Sequence, residues 1–245
     1  LAGGLVGIGN AAGLVPGLAR LAHLHLLLVG WVCLTIMGAM TQFVPVWSNA
    51  ALHSRRLANA GLLLVATGVS GFAAAFALVA LPWLAVFGAV MVLGFWTFVY
   101  NIARTMATVD GYDVTERHFL LALGFFVALS TFGLVLAVEL SGVCSLGLPV
   151  SYAGLRGAHV TLAVFGAVLT TVYGAVYQLG TMFTQTDLDR LDRGLQSVEE
   201  IGYPTGVVLL ALGRLVGDVA LARVGGVLVV AGSVAVGTII VRKLV

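Results

Sequence analysis

Long apolar runs constrain the fold of this chain more than any other feature. Several reach the roughly 20 residues that a helix needs to cross about 30 Å of hydrocarbon. Only 9% of the residues are charged, against about a quarter in a soluble domain. Because backbone polar groups in lipid must be satisfied within the segment, these runs predict an all-α integral membrane protein. About eight transmembrane helices are expected, at 1–16, 21–45, 58–81, 83–105, 118–141, 157–182, 202–221 and 223–242.

The connections between these runs are short, so the whole chain, 1–245, is expected to form one transmembrane domain. Pro16 is expected to close the first run, and part of the first helix or a leader is expected before Leu1. The connection 184–200 carries charges of both signs and is expected to be a solvated loop, with a docking role as the alternative. The net charge of +2 favours neither nucleic acid nor an acidic substrate as a partner.

Lysine and arginine are distributed unequally between the two ends of the predicted helices. Eight of them lie at the end where the run 21–45 finishes, and four lie at the end where it begins. Because cytoplasmic loops carry the excess of Lys and Arg, the first of these ends is expected to be cytoplasmic. The run 21–45 is therefore expected to start on the outer side of a cell membrane.

The chain repeats itself after 136 residues, so that 20–42 superposes on 156–178 without a gap. Apolar matches are common between membrane helices, but matched Arg, His, Thr and Gln residues are not. Both copies start from the same predicted side, which makes the repeat parallel rather than inverted. These matches predict a duplication of two parallel four-helix units, at about 1–107 and 108–245. The polar matches are Arg20 with Arg156, His23 with His159, Thr35 with Thr171 and Gln42 with Gln178.

Each copy places an arginine three residues before the histidine and a glycine seven residues after it. On a regular α-helix these three positions share one face. Two such helices facing each other offer imidazoles for both axial positions of a heme iron, cations for its propionates, and glycines that admit the porphyrin. The predicted axial ligands are therefore His23 and His159. The other predicted heme-binding residues are Arg20, Arg156, Gly30 and Gly166.

A histidine in a membrane helix also has a simpler role, a hydrogen bond between packed helices, and that interpretation stays open for each of them. His25 lies two residues beyond His23, about 200° round the helix, so one heme cannot bind both rings. We expect His25 either to hydrogen-bond a neighbouring helix or to ligate a second heme.

The sequence also predicts positions or partners for the other ionisable residues near the apolar runs. His53 and His118 fall at the predicted cytoplasmic ends of their runs and are expected at the surface. Glu139 is expected to pair with one of the two repeated arginines, with proton exchange with a quinol as the alternative. Arg214 and Asp218 lie four residues apart in the seventh run and are expected to pair with each other.

The stretch RLAHLHLLLVGWVCLTIMGAMTQFVP, residues 20–45, resembles the second helix of subunit I-like proteins in the heme-copper oxidase superfamily. It looks most similar to the nitric oxide reductase and related oxidase branches. The resemblance implies a low-spin heme ligand at His23 and, through the repeat, at His159, with Arg20 and Arg156 as propionate partners. The chain has no HPE motif and no paired HH, so the resemblance implies no set of copper ligands.

Ligation by two histidines leaves the iron no open position, which favours electron transfer over catalysis on a bound gas. The favoured function is therefore a membrane cytochrome that carries heme b near the outer face, as an electron-transfer subunit rather than a catalytic one. Its expected partners are other redox subunits, lipid, and a quinone, quinol or external electron carrier. Two alternatives stay open: an oxidase-like heme or copper protein that binds NO or O₂, and a cofactor-free scaffold or transporter.

Overall fold

The computed structural model describes residues 1–15 and 18–244, and every regular element in that part of the chain is helical. The predicted end of the first run at Pro16 lies outside the described residues. A helix that contains a π-helical segment is counted here as one helix. The helices are α1 (Ala2–Ala11), α2 (Ala19–Trp47), α3 (Arg55–Ala77), α4 (Pro82–Met106), α5 (Val114–Ser141), α6 (Tyr152–Thr184), α7 (Arg190–Val216) and α8 (Val219–Leu244).

Six of these helices are long and apolar enough to cross a membrane, as judged over the described residues. The other two are α1 and α7. α1 has ten residues, which at 1.5 Å per residue is about 15 Å of helix. α7 carries Glu199, Glu200 and Arg214. The fold is all-helical and typical of a multi-pass membrane protein, with six candidate spans in place of the eight that hydropathy predicts.

α7 departs furthest from its predicted range of 202–221. It begins at Arg190 because Asp189 and Asp192 form a capping box, in which each side chain accepts from the other residue's backbone N–H. It ends at Val216, where Gly217 adopts the left-handed conformation with φ 78°. The prediction of a solvated loop over 184–200 is therefore wrong for most of its length, since residues 190–200 are helical.

The chain divides into two compact units. Unit 1 comprises Leu1–Val109 and Ser130–Leu148, and unit 2 comprises Asp110–Leu129 and Pro149–Val245. The first part of α5 therefore belongs to unit 2 and its second part to unit 1. Within its unit, each helix of the sequence repeat is followed by a pair of packed helices, α3 and α4 after α2, and α7 and α8 after α6.

Glycines allow the two helices of each pair to approach closely. In unit 1 a Cβ atom built on Gly94 would lie 2.8 Å from the backbone nitrogen of Val65. In unit 2 a Cβ atom built on Gly206 would lie 2.8 Å from the backbone nitrogen of Val229. These separations leave no room for a side chain, which is the usual reason for small residues between helices in a membrane.

In unit 1 the start of α3 is tied to the end of α4 by neutral hydrogen bonds. The Asn101 side chain accepts from the Ser54 backbone N–H at 2.9 Å and donates to the Ser54 carbonyl at 3.0 Å. The His53 N–H donates to the Thr105 hydroxyl at 3.0 Å. The connection before α3 is therefore fixed through buried side chains of α4.

In unit 2 the corresponding tie, between the start of α7 and the end of α8, is ionic. The fully buried Asp192 carboxylate accepts from Arg242 Nε at 2.9 Å and pairs with Lys243 Nζ at 2.6 Å. Burial opposes ionisation of this carboxyl group, but the hydrogen bonds from Lys243 and Arg242 outweigh it, so the pKa of Asp192 lies below its ordinary value. The carboxylate is therefore charged at neutral pH and holds the two helix ends together.

Candidate functional site

His23 lies near the start of α2 and is held by α1, within unit 1. Its Nδ1 donates to the Gly3 carbonyl at 2.6 Å. Because a carbonyl oxygen can only accept, Nδ1 must carry the proton. Gly7 packs directly against the imidazole, and a Cβ atom there would clash with Nδ1 and Cε1 of the ring. α1 therefore fixes both the position and the tautomer of His23.

His159 lies in the corresponding part of α6 and is held by α5, within unit 2. Its Nδ1 donates to the Leu129 carbonyl at 2.9 Å. The same reasoning places the proton on Nδ1. The helix that precedes each repeat helix along the chain thus supplies the backbone carbonyl that orients its histidine.

A histidine that binds a metal usually donates its other ring N–H to a carbonyl or carboxylate, which fixes the ring and its tautomer. In the neutral form of both His23 and His159 the lone pair would be on Nε2, the nitrogen that would bind iron. Over residues 1–15 and 18–244, no group of three His, Cys, Asp or Glu side chains could hold a metal ion. Axial ligation of heme iron needs only two imidazoles, and each of these histidines has the ring orientation of a possible ligand.

Both repeat helices contain a π-helical segment shortly after the histidine, at Leu28–Cys33 in α2 and at Leu162–Leu169 in α6. Shifted by 136 residues, the first segment corresponds to 164–169, inside the second. π-helical turns are rare and occur frequently at functional sites. A π-helix also contains more residues per turn than an α-helix. The prediction that Gly30 and Gly166 share a helix face with the histidines assumes a regular α-helix, and these segments depart from it.

The two predicted glycine notches differ. A Cβ atom built on Gly30 would have its nearest neighbour, Val69 Cγ1, at 3.7 Å, an ordinary van der Waals contact. A Cβ atom built on Gly166 would lie 2.8 Å from Cγ of Phe125. The space beside Gly166 is thus occupied by the Phe125 ring of α5, whereas Gly30 has room beside it within unit 1.

The two repeated arginines lie near the start of their helices and are exposed. Among the described residues, neither Arg20 nor Arg156 forms an ion pair. Their guanidinium groups can therefore bind an anionic group without breaking an existing pair.

His25 packs against unit 1 rather than pointing to a second set of ligands. Its Nδ1 donates to the Leu21 carbonyl of the same helix at 2.8 Å. Its ring centroid lies 5.0 Å from that of Phe72 and 5.6 Å from that of Phe76, both on α3. The expected hydrogen bond to a neighbouring helix is thus replaced by one within α2, and the contacts of His25 with α3 are made by aromatic rings.

Three further ionisable residues have partners other than those expected. Glu139 accepts the Leu146 N–H at 2.6 Å, and within unit 1 it forms no ion pair among the described residues. Arg214 donates to the Thr161 hydroxyl at 2.9 Å, and Asp218 accepts the Leu221 N–H at 3.0 Å at the start of α8. The predicted pairing of Arg214 with Asp218 is wrong, because α7 ends between them. Arg214 hydrogen-bonds to α6, and Asp218 hydrogen-bonds to the first turn of α8.

His118 is not a surface residue. It is 4% exposed, and its Nε2 lies 3.1 Å from Oε1 of Glu199, which is fully buried. The Tyr177 hydroxyl donates to Oε2 of Glu199 at 3.1 Å. Residues of α5, α6 and α7 therefore form a buried polar cluster in unit 2. His53, by contrast, is exposed as expected, with its ring edge toward Tyr100.

No protein-family model and no curated protein sequence matches this chain. The support for any functional proposal therefore comes from the arrangement of the chain's own residues.

Proposed function

We propose that this chain is a membrane-embedded b-type cytochrome subunit that transfers electrons through a heme held by His23 and His159. The observation that carries the proposal is the match between these two histidines. They occupy the same position in the sequence repeat, precede a π-helical segment in both helices, and donate Nδ1–H to a backbone carbonyl of the preceding helix. These three shared properties support an equivalent role for the two histidines, and we assign that role to axial ligation.

Each residue has a separate part in this proposal. The two imidazoles bind the iron through Nε2, and the Nδ1–H···O=C bonds keep their rings in orientation and raise their basicity. Arg20 and Arg156 neutralise the propionate groups, and Gly30 leaves space beside α2. The heme supplies an iron that accepts and returns one electron, and two strong ligands leave that iron no position for a gas.

The proposal includes a duplication of two parallel four-helix units. Shifted by 136 residues, α3 and α4 correspond to 191–213 and 218–242, which lie within three residues of the bounds of α7 and α8. This agreement in helix boundaries extends beyond the residues that match in sequence. Membership of the heme-copper oxidase superfamily, in a shortened form without copper ligands, is part of the same proposal.

The excess of Lys and Arg at the opposite ends of the helices supports a heme in the outer half of the membrane. A subunit that only carries electrons needs a donor and an acceptor. We therefore propose a larger redox complex, with electrons exchanged with a quinone pool or an external carrier.

The test is an absorption spectrum of the purified chain, expressed with a supply of heme. We expect sharp reduced α and β bands that do not change with carbon monoxide. His23→Ala and His159→Ala should each remove these bands or leave a heme that binds carbon monoxide, because one axial position opens. His25→Ala is the matched control and should keep the low-spin bands.

Other outcomes would contradict the proposal. A shift of the bands with carbon monoxide in the unaltered chain would favour the gas-binding alternative. A spectrum without a Soret band would show that no heme is bound and would favour the cofactor-free scaffold or transporter. Loss of the low-spin bands in His25→Ala alone would show that the repeat identifies the wrong imidazole.

A further inference from the structure

The polar cluster of His118, Glu199 and Tyr177 in unit 2 has no part in heme ligation. The three side chains come from α5, α7 and α6 and are 4%, 0% and 3% exposed. Gly174 of α6 permits this arrangement, since a Cβ atom there would lie 2.8 Å from Cβ of His118. Buried ionisable groups are costly in a membrane protein and usually mark a functional site.

The hydrogen bonds set the number of protons in this cluster. His118 Nδ1 lies 2.7 Å from the Val114 carbonyl, which can only accept, so Nδ1 carries a proton. The Tyr177 hydroxyl donates to Oε2 of Glu199. The remaining contact joins His118 Nε2 to Glu199 Oε1 at 3.1 Å. A neutral imidazole and a carboxylate would both be acceptors there, so the contact requires one further proton, on either the nitrogen or the oxygen.

That proton also keeps the cluster electrically neutral. With it, the pair is either an imidazolium with a carboxylate or a neutral imidazole with a carboxylic acid. Without it, an unpaired negative charge remains in a buried site, and with a second proton an unpaired positive charge does. Either change is costly in a medium of low dielectric.

The surroundings of the pair include further charged and titratable groups. One residue along each helix, Arg117 of α5 and Glu200 of α7 form an ion pair at 2.7 Å that is partly exposed. Tyr173 lies one turn from Tyr177 on α6 and donates to the Ser233 hydroxyl at 2.8 Å. The partly exposed side chains of Arg117 and Glu200 thus lie next to the buried pair, whereas Tyr173 and Tyr177 are both buried.

We propose that His118 and Glu199 form a buried proton-binding site, which holds one proton between imidazole and carboxyl group and exchanges it with solvent beside Arg117 and Glu200. Release transfers this proton to water and leaves a neutral imidazole and a carboxylate. No other bond forms or breaks. The site lies within unit 2 and does not depend on the heme, so either proposal can fail without the other.

The test compares the pH dependence of stability in the full chain and in Glu199→Gln. In the unfolded chain His and Glu titrate at about 6.5 and 4.3, so above about pH 7.5 this pair binds no proton, while the folded pair binds one. The unfolding equilibrium constant should therefore rise up to tenfold per pH unit until the folded pair releases its proton. A glutamine amide can donate to neutral His118, so Glu199→Gln should lose this part of the slope. Glu200→Gln, the adjacent control, should keep it.

Infrared difference spectra recorded while the pH is raised give a second readout that does not require unfolding. The full chain should show loss of one proton from a buried imidazole–carboxyl pair, and Glu199→Gln should lack this signal. Tyr177→Phe keeps the carboxyl group, so it should keep the signal. Since a donated hydroxyl stabilises the ionised carboxylate, its removal should move the release to higher pH. Equal slopes and equal spectra in the full chain and Glu199→Gln would overturn the proposal, as would loss of the signal in Glu200→Gln.

Discussion

The two repeat helices match in sequence and backbone, yet their glycines have different neighbours. In unit 1 a Cβ atom on Gly30 would have ordinary contacts, and one on Gly38 would meet nothing within 4 Å. In unit 2 a Cβ atom built on the equivalent Gly166 or Gly174 would lie within 3 Å of an α5 side chain, Phe125 and His118 respectively. The two repeat helices therefore share the hydrogen bond that orients the histidine. They differ in whether a neighbouring side chain fills the space beside the glycines.

The helix pairs that follow differ in the same way. The ends of α3 and α4 are joined through Ser54 and Asn101 without charge, and those of α7 and α8 are joined through Asp192, Arg242 and Lys243. The same connection is thus made by pH-independent bonds in one unit and by an ionisable group in the other. Variants of matched residues should therefore have unequal effects in the two units.

The largest expected difference concerns space for the proposed heme. Gly30→Leu fills the open side of α2 without touching a ligand, and we expect nearly complete loss of bound heme from a chain that still folds. Gly38→Leu places the same side chain on the same helix, where the structure leaves room, and should retain heme. The measurement is heme absorbance per mole of purified protein. Equal heme content in the two variants would show that Gly30 does not border the cofactor.

The next effect concerns the closed glycine of α6. Gly166→Ala should destabilise the fold by about 1–3 kcal/mol through overpacking against Phe125. Phe125→Ala should cost about 3 kcal/mol through the cavity it leaves. In the double variant the added methyl group occupies part of that cavity, so the combined cost should be smaller than the sum by about 1 kcal/mol. Equilibrium unfolding in detergent gives all three values.

Gly30→Ala is the matched control in unit 1, because its nearest contact would be at 3.7 Å. It should change stability by no more than about 0.5 kcal/mol. A cost equal to that of Gly166→Ala would remove the contrast between the two helices.

Hydropathy alone predicts most of the fold, because the spanning helices are defined by long apolar runs. It misplaces α7, whose start depends on two polar residues, Asp189 and Asp192. Their spacing of three residues, just before a helical run, is a capping-box pattern that could have been found in the sequence. The six candidate membrane-spanning helices can be located from their apolar runs without a capping pattern.

The candidate site could be predicted only in part. Matched polar residues in the repeat identify His23 and His159, and their common tautomer became apparent from backbone carbonyls that no sequence pattern specifies. The π-helical segments have no evident local signal either. The position of His118 at the end of its apolar run predicts a surface residue, whereas its buried partner Glu199 lies 81 residues away in the sequence. Pairing over such a distance depends on helix packing and cannot be derived from one sequence.

The last comparison tests the ionic tie of unit 2 against the neutral tie of unit 1. Since the folded pKa of Asp192 lies below its unfolded value of about 3.9, the carboxylate stabilises the fold fully above that value, and this contribution is lost as the pH falls through the folded pKa. Asp192→Asn should therefore cost about 2 kcal/mol at neutral pH and remove part of the acid sensitivity of unfolding.

Asn101→Ala in unit 1 also breaks a tie between helix ends, but it removes no ionisable group. It should lower stability at every pH and leave the slope of stability against pH unchanged. Thermal unfolding of both variants between about pH 6 and pH 3 measures this difference, since that range spans the ordinary pKa of a carboxyl group. A slope for Asp192→Asn equal to that of the unaltered chain would show that Arg242 and Lys243 hold the helix ends without the charge of Asp192.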